Sequence, residues 1–271
     1  LKLGGETRDL TVMFTDIRNF TTISERMSPA ALIHLMNDFL TPMSDLVMQS
    51  RGTIDKFMGD AMMAFWNAPL DDPDHARHAC RAALQMSAAL SPLNQKLAEQ
   101  ARAEGKTPLV LQAGIGINTG PAAVGNMGSR QRFAYSALGD TVNLASRLES
   151  QTKTYGVEIL AGPATRAAVP DFAFLQLDLL RVKGKQEPVA VYALLGDEAY
   201  AARIEFSDMK GRHDALMNDY RAGRFAAALE ELAGVPPGPL DGFYAMFRER
   251  LATLRDNPPP AWDGVFTAIS K

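Results

Sequence analysis

Two apolar, β-prone runs of this chain are each tied to an aspartate, and that arrangement narrows the possible folds more than any bulk property does. Residues 10–15, LTVMFT, are dense in strand formers and end at Asp16 within FTDIRNF. Residues 52–57 and 61–66 form two more short runs, separated only by Met58, Gly59 and Asp60. So brief a separation implies an antiparallel hairpin, with a glycine where the turn calls for positive φ. That hairpin can set Asp60 beside the end of the first strand. Two carboxylates on neighbouring strand ends are hard oxygen ligands suited to Mg2+ or Mn2+. Unpaired inside an apolar hairpin they would carry a desolvation cost or take up protons, and a cation removes that problem. Taken singly, each aspartate also reads as a turn acid or a helix cap.

The rest of the pattern places these runs in a larger domain. Ser28-Pro29 opens a helix over residues 28–49, a cap followed by proline in the first turn. Its Leu32, Leu35, Met36, Phe39, Met43, Leu46 and Val47 recur at three and four residues and lay one stripe against a sheet, with a bend or break predicted at Pro42. A second long helix is predicted over residues 72–105, with Pro92 as its break point. A strand over 109–118, a turn at Thr119-Gly120-Pro121, a strand over 122–125 and an extended arm over 128–137 follow. Then come a helix over 141–150, a strand over 158–160, a short helix over 163–168 and strands over 172–182 and 188–194. Strands joined both by helices and by tight hairpins describe an α/β domain with a mixed or antiparallel sheet. From residue 199 strand patterning ceases: residues 199–233 and 240–255 read as helical around a Pro/Gly break at 234–239. The expected organisation is a domain over 1–198 and a helical C-terminal extension over 199–271.

Further polar groups stand where they could meet a phosphorylated ligand. Lys56 lies four residues before Asp60 on the hairpin. Asn143 and Arg147, four apart, share a helix face that could offer an amide and a guanidinium to a ribose and a phosphate. The plainer reading pairs Arg147 with Glu149 or Glu158. Lys183 and Lys185 flank Gly184, either as a solvated turn or as counter-charges for phosphate.

Composition removes several classes. Twenty-eight Lys and Arg stand against 31 acids, a formal charge of -3, which gives no support to a nucleic-acid-coating protein. One cysteine, Cys80, excludes an intrachain disulfide framework and reads as buried filler, and four scattered histidines lack the partners of a zinc cluster. No run of about 20 apolar residues is present, so no membrane contact is expected of this fragment. The start, LKLGGETRDL, resembles no signal peptide and reads as a cut within a longer polypeptide.

The stretches FTDIRNFT (14–21), GTIDKFMGDAMMAFW (52–66), LQAGIGINTGPAAVGNMGS (111–129), YSALGDTVNLASRLES (135–150) and RVKGK (181–185) together resemble the catalytic domain of class III adenylate and guanylate cyclases, in family order and spacing. The resemblance covers about residues 11–195. It implies a ferredoxin-like nucleotidyl cyclase fold with a mixed, mainly antiparallel sheet, and a homodimer with two shared active sites. It implies that Asp16 and Asp60, with the Ile17 carbonyl, hold two Mg2+ or Mn2+ ions per site. Lys56 resembles the purine-reading lysine, Ser136 stands at the second base-reading position, Asn143 resembles the ribose-orienting amide, Arg147 the transition-state arginine and Lys183 the lysine on the β- and γ-phosphates. A lysine can donate to adenine N1, whereas guanylate cyclases use glutamate there. A serine hydroxyl can accept from the N6 amino group while still donating elsewhere.

The implied reaction is ATP to 3′,5′-cyclic AMP and pyrophosphate, with guanylate cyclase, or a catalytically silent nucleotide-binding or dimerisation module, as the alternatives. The pattern YRAGRFAAALEEL, DGF, RDNPPPAWDGVF is similar to the ends of bacterial cyclases that carry a CHASE2 sensor and transmembrane helices. That likeness implies a cytoplasmic catalytic domain of a protein anchored in the inner membrane.

Overall fold

The run that ends on Asp16 is part of a longer strand, β1 (Gly4–Ile17), whose period-two alternation sends Leu10, Val12 and Phe14 to one face and Thr11, Met13 and Thr15 to the other. The structure is a computed structural model and describes residues 4–129, 131–181 and 187–266. It is an α/β fold with a mixed, mostly antiparallel sheet followed by C-terminal helices. Two compact units, residues 1–150 and 151–271, make up the chain.

In the first unit, β1 is followed by α1 (Phe20–Glu25), α2 (Pro29–Gln49), the hairpin β2 (Thr53–Met58) and β3 (Ala61–Trp66), α3 (His75–Ala103), β4 (Ala113–Gly128), β5 (Phe133–Leu138) and the greater part of α4 (Asp140–Tyr155), whose last five residues belong to the second unit. The strand order is β2-β3-β1-β4, with β5 folded back on β4. β1 pairs antiparallel with both neighbours, Thr15 opposite Met62 on one side and Asp16 opposite Gly114 on the other. One face of this sheet buries Leu10, Val12, Met63, Phe65 and Val124 with Val142 and Ala145 of α4. On the other face Thr11 Oγ1 hydrogen-bonds His75 Nδ1 at the start of α3, at 2.7 Å. Ser28 caps α2 as expected, accepting from the Ala31 N–H at 3.3 Å.

The structure departs from the sequence reading at its breaker residues. Both long helices run through their prolines, Pro42 and Pro92. In α2, burial of Phe39, Met43 and Val47 on one stripe outweighs the one hydrogen bond that proline removes. No turn forms at Thr119-Gly120-Pro121: Gly120 has φ 159, which is extended backbone, and β1 pairs straight across, Leu10 to Gly120 and Asp9 to Pro121. The predicted arm over 128–137 contains β5, which pairs with the end of β4.

The second unit contains β6 (Ile159–Ala161), α5 (Pro163–Ala168), β7 (Ala173–Leu180), β8 (Val189–Gly196), α6 (Glu198–Ala201), α7 (Ile204–Arg221), α8 (Phe225–Ala233) and α9 (Asp241–Asp256). β8 lies between β6 and β7, antiparallel to both. The C-terminal helices are tied to this sheet by buried polar contacts. His213 Nε2 donates to the Gln176 carbonyl at 2.7 Å while its Nδ1 accepts from Tyr244 Oη at 2.9 Å. Asp178 accepts from Arg250 Nη1 at 2.6 Å and from Tyr155 Oη at 2.8 Å.

Candidate active site

Asp16 and Asp60 meet, and the strand pairing explains why. β3 runs antiparallel beside β1, so the turn that precedes β3 lies at the same edge of the sheet as the end of β1. Gly59 takes φ 63 in that turn. The Ile17 N–H donates to Asp60 Oδ2 at 3.0 Å, which fixes the Asp60 carboxylate against the last residue of β1. Burial, then the hydrogen bond and charge of Asp60 and the charge of Glu149, push the Asp16 carboxyl up to about 8. Among the described residues Asp16 Oδ1 is buried without a hydrogen-bond partner.

Glu149 is a further acid of this neighbourhood that the motif reading passed over. Burial raises its carboxyl, the Arg18 charge opposing and the Asp60 charge adding to the shift. Its location follows from Gly116. A Cβ at Gly116 would lie 2.2 Å from Glu149 N and 2.3 Å from Ala145 O, so only glycine lets α4 rest directly on β4 at this level. The alternation Gly114-Ile115-Gly116 clears the sheet face that Asp16 shares, and the sequence signal was present in LQAGIGIN.

Asn143 and Arg147 lie on the solvent side of the same helix, both exposed. Among the described residues Arg147 has no ion-pair partner, so pairing with Glu149 or Glu158 does not occupy it. Lys56 and Ser136 come together from β2 and β5. Lys56 is exposed, Ser136 is buried, and both contact Asp55: Ser136 Oγ donates to Asp55 Oδ2 at 2.7 Å and Lys56 Nζ lies 3.4 Å from Asp55 Oδ1. Asp55 is the residue that sequence reasoning missed here. Lys183 lies outside the described residues.

The aspartate pair fits a hard divalent cation. A buried carboxyl oxygen with no hydrogen-bond partner among the described residues, next to a second carboxylate, makes full ionisation of the pair unfavourable without a counter-charge, which a divalent ion displacing the Asp16 proton would supply. Among the described residues no group of three or more His, Cys, Asp or Glu side chains could hold a metal ion, so any ion bound here would complete its shell with backbone, water or ligand oxygens. Among the described residues no helix is long and apolar enough to cross a membrane.

Comparison with known proteins shows the family and the fold. The family model for the adenylate and guanylate cyclase catalytic domain matches residues 5–196. The chain is 40% identical over 190 residues to adenylate cyclase 1 of Rhizobium meliloti, covering 70% of this chain and 28% of that protein. It is 36% identical over 191 residues to an adenylate cyclase of Anabaena cylindrica, covering 69% and 36%. It therefore spans well under half the length of these relatives. Among solved structures, the adenylyl cyclase CyaB from P. aeruginosa superposes with a TM-score of 0.64 at 36% identity, covering 72% of this chain and 97% of that one. The guanylyl cyclase Cya2 gives 0.62 at 33% identity, covering 72% and 95%. This chain belongs to the adenylate and guanylate cyclase catalytic-domain family.

Proposed function

We propose that the chain is an adenylate cyclase that converts ATP to 3′,5′-cyclic AMP and pyrophosphate at sites shared between two copies of itself. The observation that carries the reading is the convergence of Asp16 and Asp60, the former with a buried oxygen that has no hydrogen-bond partner among the described residues. These two carboxylates and the Ile17 carbonyl would hold two Mg2+ or Mn2+ ions. When bound, such ions supply Lewis acidity that lowers the pKa of a ribose 3′-hydroxyl and offsets triphosphate charge.

The chain's own side chains account for the rest of the reaction. Asn143 orients the ribose. Arg147, exposed and uncommitted, offsets charge that grows on the α-phosphate as the 3′-oxygen attacks, an effect worth roughly 3 kcal/mol. Lys183 neutralises the β- and γ-phosphates. Lys56 donates to adenine N1 and Ser136 meets the N6 amino group, a combination that favours ATP over GTP.

Pairing of two chains is supported by apolar exposure next to the base-reading residues. Phe57 and Met58 on β2 and Phe133 and Leu138 on β5 are 41% to 57% exposed, a costly surface for a lone chain. In the dimer Lys56, Ser136, Asn143 and Arg147 of one copy serve the aspartates of the other, so activity falls on dilution. The catalytic domain ends near residue 198 and the following helices form an extension. The C-terminal sequence pattern supports a whole protein with a CHASE2-type sensor and an inner-membrane anchor.

Incubation with ATP or with GTP in the presence of Mn2+, followed by identification of the product, tests the reading. Cyclic AMP from ATP is the expected result. Cyclic GMP from GTP in its place would make the chain a guanylate cyclase, and no product from either would leave a silent nucleotide-binding module.

A further inference from the structure

The hydroxyl at the base-reading position is not free to choose its role, and the reason lies one residue before Lys56. In a regular strand Asp55 and Lys56 would point to opposite faces. Here the β2–β3 register shifts between Ile54 and Lys56: Ile54 pairs with Ala64 and Lys56 with Met63, leaving Asp55 as the extra residue of a β-bulge. The bulge turns the Asp55 side chain beneath β5, where it is 1% exposed. There Asp55 Oδ2 accepts two hydrogen bonds, from Ser136 Oγ at 2.7 Å and from the Ala137 N–H at 3.0 Å. Asp55 Oδ1 has no hydrogen bond and lies 3.4 Å from Lys56 Nζ, an ion pair without hydrogen-bond geometry.

A serine hydroxyl has a single proton. With that proton given to Asp55, the oxygen of Ser136 presents lone pairs only. The Lys56 ammonium, held beside the same carboxylate, presents protons only. A purine edge facing this pair must therefore offer one acceptor and one donor, which adenine does with N1 and the N6 amino group. Guanine offers a protonated N1 and the O6 acceptor, so both of its groups meet the wrong partner.

We infer that Asp55 is a specificity-determining positioning residue, which locks the Ser136 hydroxyl as an acceptor beside the Lys56 ammonium, so that one bulged carboxylate makes the pair a reader of adenine. The inference rests on the adenylate cyclase reading and adds to it the device that removes the ambivalence of a hydroxyl.

The test is the ratio of kcat/KM for ATP to that for GTP, measured with Mn2+ on the full chain for wild type, D55A, S136A and the double variant. In D55A the hydroxyl can turn and donate to O6, so the ratio falls about tenfold, the worth of one hydrogen bond. S136A lowers it by a similar factor, and D55A adds nothing to S136A, because Asp55 acts through that hydroxyl. A purely structural role for Asp55 would lower both kcat/KM values together and leave the ratio unchanged, which would overturn the inference while leaving the cyclase reading intact. Equal effects of D55A with and without Ser136 would overturn it too. Should D55A not fold, a purine nucleoside triphosphate lacking the 6-amino group puts the question to wild type and S136A. Wild type should turn it over about tenfold less efficiently than ATP and S136A should not distinguish the two; a wild type indifferent to the amino group overturns the inference. A chain that cyclises neither ATP nor GTP takes down both readings.

Discussion

Replacing Gly116 by alanine should separate the catalytic geometry from the fold. The added Cβ would stand 2.2 Å from Glu149 N and 2.3 Å from Ala145 O, whereas ordinary contact begins at 3.4 Å. Both obstacles are helix backbone, so no rotamer change relieves them, and α4 must lift from β4 by roughly 1 Å. Overpacking of this kind destabilises by about 1–3 kcal/mol, which for a chain of this size lowers Tm by several degrees and leaves it folded. The same displacement moves Asn143 and Arg147, and a shift near 1 Å at positioning groups lowers kcat by about 100-fold. The expected result is a folded, metal-responsive chain with that loss in kcat. Gly211 is the control: it is exposed within α7, a Cβ there meets nothing within 4 Å, and G211A should stabilise by about 0.5–1 kcal/mol without touching turnover. A G116A chain with wild-type kcat would refute the claim that helix-to-strand contact at this glycine sets the position of the α4 side chains.

Three other outcomes follow from the same geometry. Mixing inactive D16A and R147A chains should restore cyclase activity, up to one intact site per heterodimer; proven heterodimers without activity would defeat the split site. In the metal-free chain the raised Asp16 carboxyl means that the folded state holds a proton that the unfolded state releases above about pH 4. Stability therefore falls as pH rises from about 4 to about 8 and levels off beyond, and thermal melts of D16N across that range should lack this component. In the second unit, R250A leaves the Asp178 carboxylate, 1% exposed, with Tyr155 Oη and the Leu179 N–H as its remaining partners among the described residues, and should cost about 3–5 kcal/mol in urea unfolding. The double replacement R250M with D178L should recover much of that loss, since the penalty belongs to an unpaired buried charge.

What the sequence disclosed, and what it withheld, divides along physical lines. The meeting of Asp16 with Asp60 was legible because a two-stranded turn and a β-run of fixed period leave few ways to place two strand ends. The helix face of Asn143 and Arg147 followed from the 3.6-residue period alone. Gly120-Pro121 misled because glycine is read as a breaker, yet φ 159 is open to a strand, and the long pairing with β1 holds it extended. Pro92, read as a break, misled for the converse reason, since a local penalty was set against burial of Leu90 and Leu93 that only the folded structure supplies. Asp55 was invisible for a third reason. Alternation places it on the face opposite Lys56, and nothing in TIDKFM marks the extra residue that puts both beside Ser136. A one-residue register shift reverses which side chains share a surface. Where selectivity depends on which groups share that surface, periodicity can identify the strand that carries the readers and still miss the residue that fixes what they read.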